Sequence, residues 1–195
     1  MKIKIGVMGS AQGPTIGNGE NILKARELGK WIAKTDCILV NGACPGLPND
    51  AALAARENGG MVIGISPAFS WETHVKDYKS PDGAYDMIVY TGMGLMERDI
   101  LNIRSSDAVI LVGGGIGTLN EFTVAFDDGK IVGVLTETGG VSDHIPEIMQ
   151  ICNRNLTERV IFDSDPRALV EKVVLAIKQM PPVLIEDQRI VKGEK

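Results

Sequence analysis

Short apolar runs alternate with helix-patterned segments six or seven times along the chain. The runs fall at residues 3–8, 37–40, 61–65, 87–90, 108–112, 131–135 and 160–162. A strand buried on both faces reads as such an uninterrupted apolar run, which is what a parallel sheet covered by helices requires. The segments between follow a different period. In residues 19–34 the apolar positions are Ile22, Leu23, Ala25, Leu28, Trp31 and Ile32, three and four apart, which is helical spacing. Further helices are expected over 49–58, 95–105, 118–128, 144–153 and 166–179, the last opened by Pro166 and followed by Pro181 and Pro182. The stretch 66–85 carries neither period and reads as a long ordered loop, of a length that is often functional.

This alternation predicts an α/β fold: a single doubly wound domain around a mainly parallel sheet of six or seven strands. A chain of 195 residues is one domain by size. The domain is placed at 1–180, with 181–195 as a loosely held C-terminal tail.

In doubly wound sheets ligands bind outside the carboxyl ends of the strands, near the point where strand order reverses. Three glycine-rich junctions follow apolar runs here. They are residues 9–19, with Gly9 and Ser10; residues 41–46, with Asn41, Gly42 and Gly46; and residues 113–118. The chain holds 23 glycines, about 12 % against a usual ~7 %, without a collagen period, so the excess belongs at turns and close backbone approaches.

The third junction, GGGIGTLNE at residues 113–121, opens a helix directly after the most apolar run. Free N–H groups at a helix start attract a phosphate, and Gly114, Gly115, Ile116, Gly117 and Thr118 are the candidates to hold one. No Walker lysine follows, so P-loop ATPase chemistry is not supported. Glu121 is expected on the first turn of that helix, where it either caps the dipole or points at a ligand sugar or acts as a base. Upstream, Arg98 and Arg104 are six residues apart and do not share a helix face, so one can face the site while the other pairs with a carboxylate; Arg104 is counted among the phosphate- or nucleotide-binding candidates.

Arg98, the RSSDA segment at 104–108, and GGIGTLNE at 114–121 resemble the signature of the Lonely Guy family, often labelled lysine-decarboxylase-like. That signature is an E-R pair, an R-x-S-D segment and PGGxGTxxE, and the register from Arg98 to Glu121 matches it without gaps. The likeness extends over residues 1–135, roughly, with 41–47 standing where the family has an earlier glycine-rich motif. It implies a Rossmann-like, cytoplasmic, homo-oligomeric protein that hydrolyses the N-glycosidic bond of a nucleoside 5′-monophosphate without a cofactor. Arg98 and Glu121 would be the catalytic pair, and the glycine loop would hold the phosphate. Gly113 replaces the motif's proline, Met96 stands where cytokinin-activating members tend to have histidine, and 44–49 diverges from the first glycine motif. These departures resemble a prokaryotic branch that includes a molybdenum-cofactor carrier. Non-catalytic binding of a nucleotide or that cofactor is therefore the second reading.

Other classes are disfavoured. Net charge is −5, with no basic stripe, which argues against a nucleic-acid partner. No apolar run approaches a membrane span. Three cysteines without CxxC spacing suit a reducing cytosol and make no zinc framework, and His74 and His144 are far apart, so no metal site is expected. Nothing singles out a lysine for a pyridoxal Schiff base, so lysine decarboxylation is rejected. Cys44 either fills a turn or touches a ligand. Phe69, Trp71 and Tyr78 either form a lid that stacks on a base or cover a core edge or subunit contact.

Overall fold

Seven strands alternate with six α-helices: β1 (Lys4–Gly9), α1 (Gly19–Lys34), β2 (Ile38–Asn41), α2 (Leu47–Glu57), β3 (Val62–Ser66), β4 (Met87–Tyr90), α3 (Glu97–Ser105), β5 (Ala108–Val112), α4 (Ile116–Asp127), β6 (Ile131–Leu135), α5 (Val141–Ile151), β7 (Val160–Asp163) and α6 (Pro166–Gln179). The computed structural model describes residues 1–180, and the tail expected over 181–195 lies outside the described residues. The strands form one sheet in the order β4-β3-β2-β1-β5-β6-β7, and every pairing is parallel. The chain winds outward from β1 to β4, then returns to β5 on the other side of β1. The reversal of strand order therefore lies between β1 and β5.

The apolar runs divide their side chains between two cores, one on each face. In β5, Ala108, Ile110 and Val112 pack with α1, α2 and α6, through Leu28, Ile32, Ala51, Leu169 and Val173. Val109 and Leu111 pack on the opposite face with Ile103, Phe122, Ile145 and Met149 of α3, α4 and α5. All five β5 residues are fully buried, and each large one contributes roughly 1.5–3 kcal/mol relative to exposure. This two-sided burial is why the inner strands read as unbroken apolar runs rather than as alternating ones, while edge strand β4 exposes Met87 and Val89.

Helix starts follow local chemistry. Asn18 Oδ1 accepts from the Glu20 N–H at 2.9 Å to cap α1, and Asp165 accepts from the Ala168 N–H ahead of Pro166 to cap α6. Three helices begin earlier than their periodicity suggested, α4 among them at Ile116 rather than 118. Helix α2 starts at Leu47 because Pro48 fits its first turn, and α5 starts at Val141.

The segment between β3 and β4 is largely the loop its composition implied, but it contains one π-type turn, Thr73–Asp77. The buried His74 ties it down, with Nε2 3.0 Å from the Pro81 carbonyl and Nδ1 2.8 Å from Ser66 Oγ. A carbonyl only accepts, so the network assigns the proton to Nε2 and makes Nδ1 the acceptor for Ser66.

Candidate functional site

The carboxyl ends of β1, β2 and β5 open on one cleft of about 670 Å3, as the three glycine-rich junctions implied. Gly9 and Ser10 reach it from β1, Gly42 and Cys44 from the loop after β2, and Gly115, Ile116, Gly117 and Thr118 from the start of α4. Asn41 and Gly46 stand behind this wall. Asn41 Nδ2 donates to the Pro48 carbonyl at 2.8 Å and its Oδ1 accepts from the Ala43 N–H at 2.9 Å, which shapes the loop. Gly46 has φ +91° and packs on the Ser10 backbone.

The glycine loop is held from three directions. The Gly114 N–H donates to Ser10 Oγ at 2.7 Å, and the Gly113 N–H donates to Thr138 Oγ1 at 2.9 Å. Both the N–H and the hydroxyl of Ser142 donate to the Gly113 carbonyl, while Val141 N–H donates to that of Gly114. Asn21 of α1 donates to the Thr138 carbonyl at 3.0 Å. Gly113 and Gly114 adopt φ +62° and +105°, which L side chains rarely adopt, and a Cβ on Gly114 would meet the Thr118 side chain. The first helical bond of α4 runs from the Leu119 N–H to the Gly115 carbonyl, so the N–H groups of 116–118 have no intrahelical partner. Space is open where a side chain on Gly115 or Gly117 would project. Donors, helix dipole and an unobstructed approach therefore coincide, which suits an anion.

Arg98 and Glu121 meet deeper in the same cleft. Arg98, from the first turn of α3, and Glu121 are each 7 % exposed, and Arg98 Nη1 stands 3.9 Å from Glu121 Oε1. Glu121 is the sixth residue of α4 and so lies on its second turn, not the first as expected, which removes a dipole-capping role. The guanidinium packs on Gly42, with Nη1 3.2 Å from Asp99 Oδ1 and Nη2 3.6 Å from Cys44 Sγ. Asn102, with its amide oxygen turned toward Arg98, accepts from Nη1 and donates to the Asn41 carbonyl at 3.2 Å. Arg98 Nε is buried without a hydrogen-bond partner among the described residues.

Burial decides the charge state. It pushes the Glu121 carboxyl up to about 8; Asp99 adds to the rise and Arg98 opposes it. Arg98 therefore does not hold Glu121 ionised, and Glu121 keeps its proton at neutral pH. Burial also raises the Asp99 carboxyl and the Cys44 thiol, again against Arg98.

Arg104 is not part of the cleft. At 100° per residue it emerges on another side of α3 from Arg98, and Nε donates to Asp128 Oδ2 at 3.0 Å. It lines a separate cavity of about 520 Å3 with Lys4, Asp107 and Lys130, at the amino ends of the strands.

A model of the SLOG cluster4 family matches residues 2–170. The chain belongs to the SLOG cluster4 family. Its likeness to the Lonely Guy signature is borne out at this level. Over 122 residues, 62 % of the chain, it is 31 % identical to a cytokinin riboside 5′-monophosphate phosphoribohydrolase of Mycobacterium tuberculosis, and the match spans 61 % of that enzyme. Among solved structures it resembles a molybdenum cofactor binding protein from Rippkaea orientalis, at 30 % identity and TM-score 0.71 over 91 % of this chain and 98 % of that one. It also resembles a molybdenum cofactor carrier protein from Chlamydomonas reinhardtii, at 29 % identity and TM-score 0.72 over 92 % of this chain and all of that one.

In this SLOG cluster4 chain, several site residues escaped sequence reasoning. Asp99 and Asn102 flank Arg98 and carried a usable signal: polar residues at one and four positions from Arg98, on the helix face that also buries Ile103. Thr138 and Ser142 hold Gly113 from 25 and 29 residues away, and no local pattern marks them. Among the described residues, no helix is long and apolar enough to cross a membrane.

Proposed function

We propose that the cleft binds a nucleoside 5′-monophosphate by its phosphate at the start of α4, and that Arg98 and Glu121 cleave the N-glycosidic bond to release base and ribose 5-phosphate. The observation that carries this reading is the opening of both the α4 start and the Arg98–Glu121 pair into one cleft. A carboxyl that holds its proton near neutral pH is suited to general acid work. Glu121 gives that proton to the departing base. The carboxylate left behind faces the positive ribosyl centre, and Arg98 stabilises it. Water adds to the ribosyl carbon and returns a proton to Glu121.

A second reading, carriage of a nucleotide-like cofactor, is favoured by the likeness along nearly the whole chain to the two molybdenum-cofactor proteins. It uses the same phosphate end and makes Glu121 a hydrogen-bonding ligand. Either reading fits a homo-oligomer, since Met96 at the head of α3 and Ile100 and Leu101 within it are exposed apolar side chains.

Incubation with AMP, GMP, IMP and CMP, followed by chromatography for free base and calorimetry for binding, tests both. Base release that is lost in Glu121→Gln supports the hydrolase. Tight binding without release supports the carrier. Neither binding nor release overturns the pair.

A further inference from the structure

The cleft continues past the glycine loop to a wall built by the segment between β3 and β4, where Tyr78 and Ser80 line it. Of the four aromatic residues in that segment, Tyr78 alone lines the cleft, and Tyr85 is buried in the core. Trp71 donates its Nε1–H to Asp82 at 2.9 Å, and Phe69 is exposed. Ser80 is 5 % exposed, yet its hydroxyl makes no hydrogen bond among the described residues, and its residue lines the cleft. Without a protein partner and open to the cleft, that hydroxyl is available to donate to or accept from a ligand that enters.

This wall is fixed rather than loose. His74, clamped between Ser66 Oγ and the Pro81 carbonyl, accepts the Ser80 N–H on its own carbonyl at 3.0 Å. Leu95 and Met96 add apolar surface to the same cleft. A flat aromatic ring, apolar neighbours and one unpaired hydroxyl suit a heteroaromatic ring with a polar edge.

The spacing agrees. From α4, which follows β5, to Tyr78, which follows β3, the cleft crosses β1 and β2. Three strand steps span roughly 14 Å at ~4.8 Å each. Arg98, packed on Gly42 at the end of β2, lies between the two ends.

We infer that Tyr78 and Ser80 form a ring subsite: a fused nitrogen heterocycle, purine or pterin, stacks on Tyr78 and meets Ser80 Oγ with its polar edge. This rests on the phosphate end proposed above. It assigns recognition of the ring to the one segment of the chain that departs from the strand–helix rhythm.

Calorimetry with AMP, dihydroneopterin monophosphate and ribose 5-phosphate tests it, the last ligand having phosphate and sugar but no ring. The wild type should bind at least one ring-bearing ligand more tightly than ribose 5-phosphate, and which one identifies the ring class. Tyr78→Ala should weaken that ligand about tenfold or more, leave ribose 5-phosphate unchanged, and be rescued by Tyr78→Phe. Ser80→Ala should weaken the ring-bearing ligand about fivefold. Equal weakening of ribose 5-phosphate by Tyr78→Ala, or no weakening of either ring-bearing ligand, overturns the subsite and leaves the phosphate end standing. Failure of the wild type to bind any of the three overturns both.

Discussion

The guanidinium of Arg98 stands 3.9 Å from the carboxyl of Glu121, close enough for charge to be felt and too far for a hydrogen bond. Its nearer carboxylate is Asp99, at 3.2 Å. Glu121 is thus left with burial as its dominant influence and keeps its proton up to about pH 8.

Stability should therefore decline as pH rises. From the ordinary glutamate value of 4.5 up to about 8, the folded chain holds a proton at Glu121 that the unfolded chain has released. The contribution of Glu121 is fully present below that window and is lost across it. Glu121→Gln removes the titration, so its Tm should gain on the wild type between about pH 5 and pH 9. Parallel Tm profiles for the two proteins would exclude a buried proton at this position.

Removing the cation should be severe. Arg98→Met keeps most of the stem but leaves Asp99 and Glu121 facing each other in a buried site, which costs about 3–5 kcal/mol. Urea denaturation should show the loss growing at higher pH, where both carboxyls ionise. Asp99→Asn in the same chain should recover part of it, because the pair is coupled. Additive losses would contradict the shared site.

The glycine loop separates binding from folding. Gly115→Val places a side chain in open space, so its Tm should stay near that of the wild type while AMP or phosphate binding is lost. Gly114→Val meets Thr118 at a left-handed φ and should lower Tm itself. Unchanged AMP affinity in Gly115→Val would remove the phosphate from α4.

Arg104→Ala serves as the outlying control. It breaks an exposed pair with Asp128, worth at most about 1 kcal/mol, and should leave AMP affinity as it was. A loss of affinity would bring the second arginine back into the site.

If base is released, Glu121→Gln should slow release by about 10²–10³, the scale of losing one electrostatic or proton-donating group, with little change in affinity. Wild-type turnover should fall as pH passes about 8, because the proton to be donated is then gone. Turnover that rises through that pH would reverse the role given to Glu121.

The sheet and its helices were legible because each strand carries its own apolar run: β5 is buried at all five positions and reads so. The three cleft loops were legible for the same reason, since each ends such a run. The charge state of Glu121 was not, because it depends on how α3 packs on α4 and on which carboxylate Arg98 approaches more closely. Arg104 illustrates the limit from the other side: it lies in a motif-like segment, yet six residues of helix turn it toward Asp128. The hydroxyl of Ser80 was equally hidden, since nothing in PDG or its flanks marks which loop atoms lack partners.

The glycine loop depends on Ser10 Oγ and Thr138 Oγ1 to accept from its N–H groups and on Ser142 to donate to its carbonyl. The nonapeptide GGGIGTLNE is not a portable module. Grafted onto another parallel sheet without a hydroxyl at the end of the adjacent strand and a threonine beyond the next one, it would leave its own N–H groups unmatched and fold back on itself. Substitutions at Ser10 or Thr138, neither recognisable as part of the nonapeptide, should therefore drift together with it over evolutionary time.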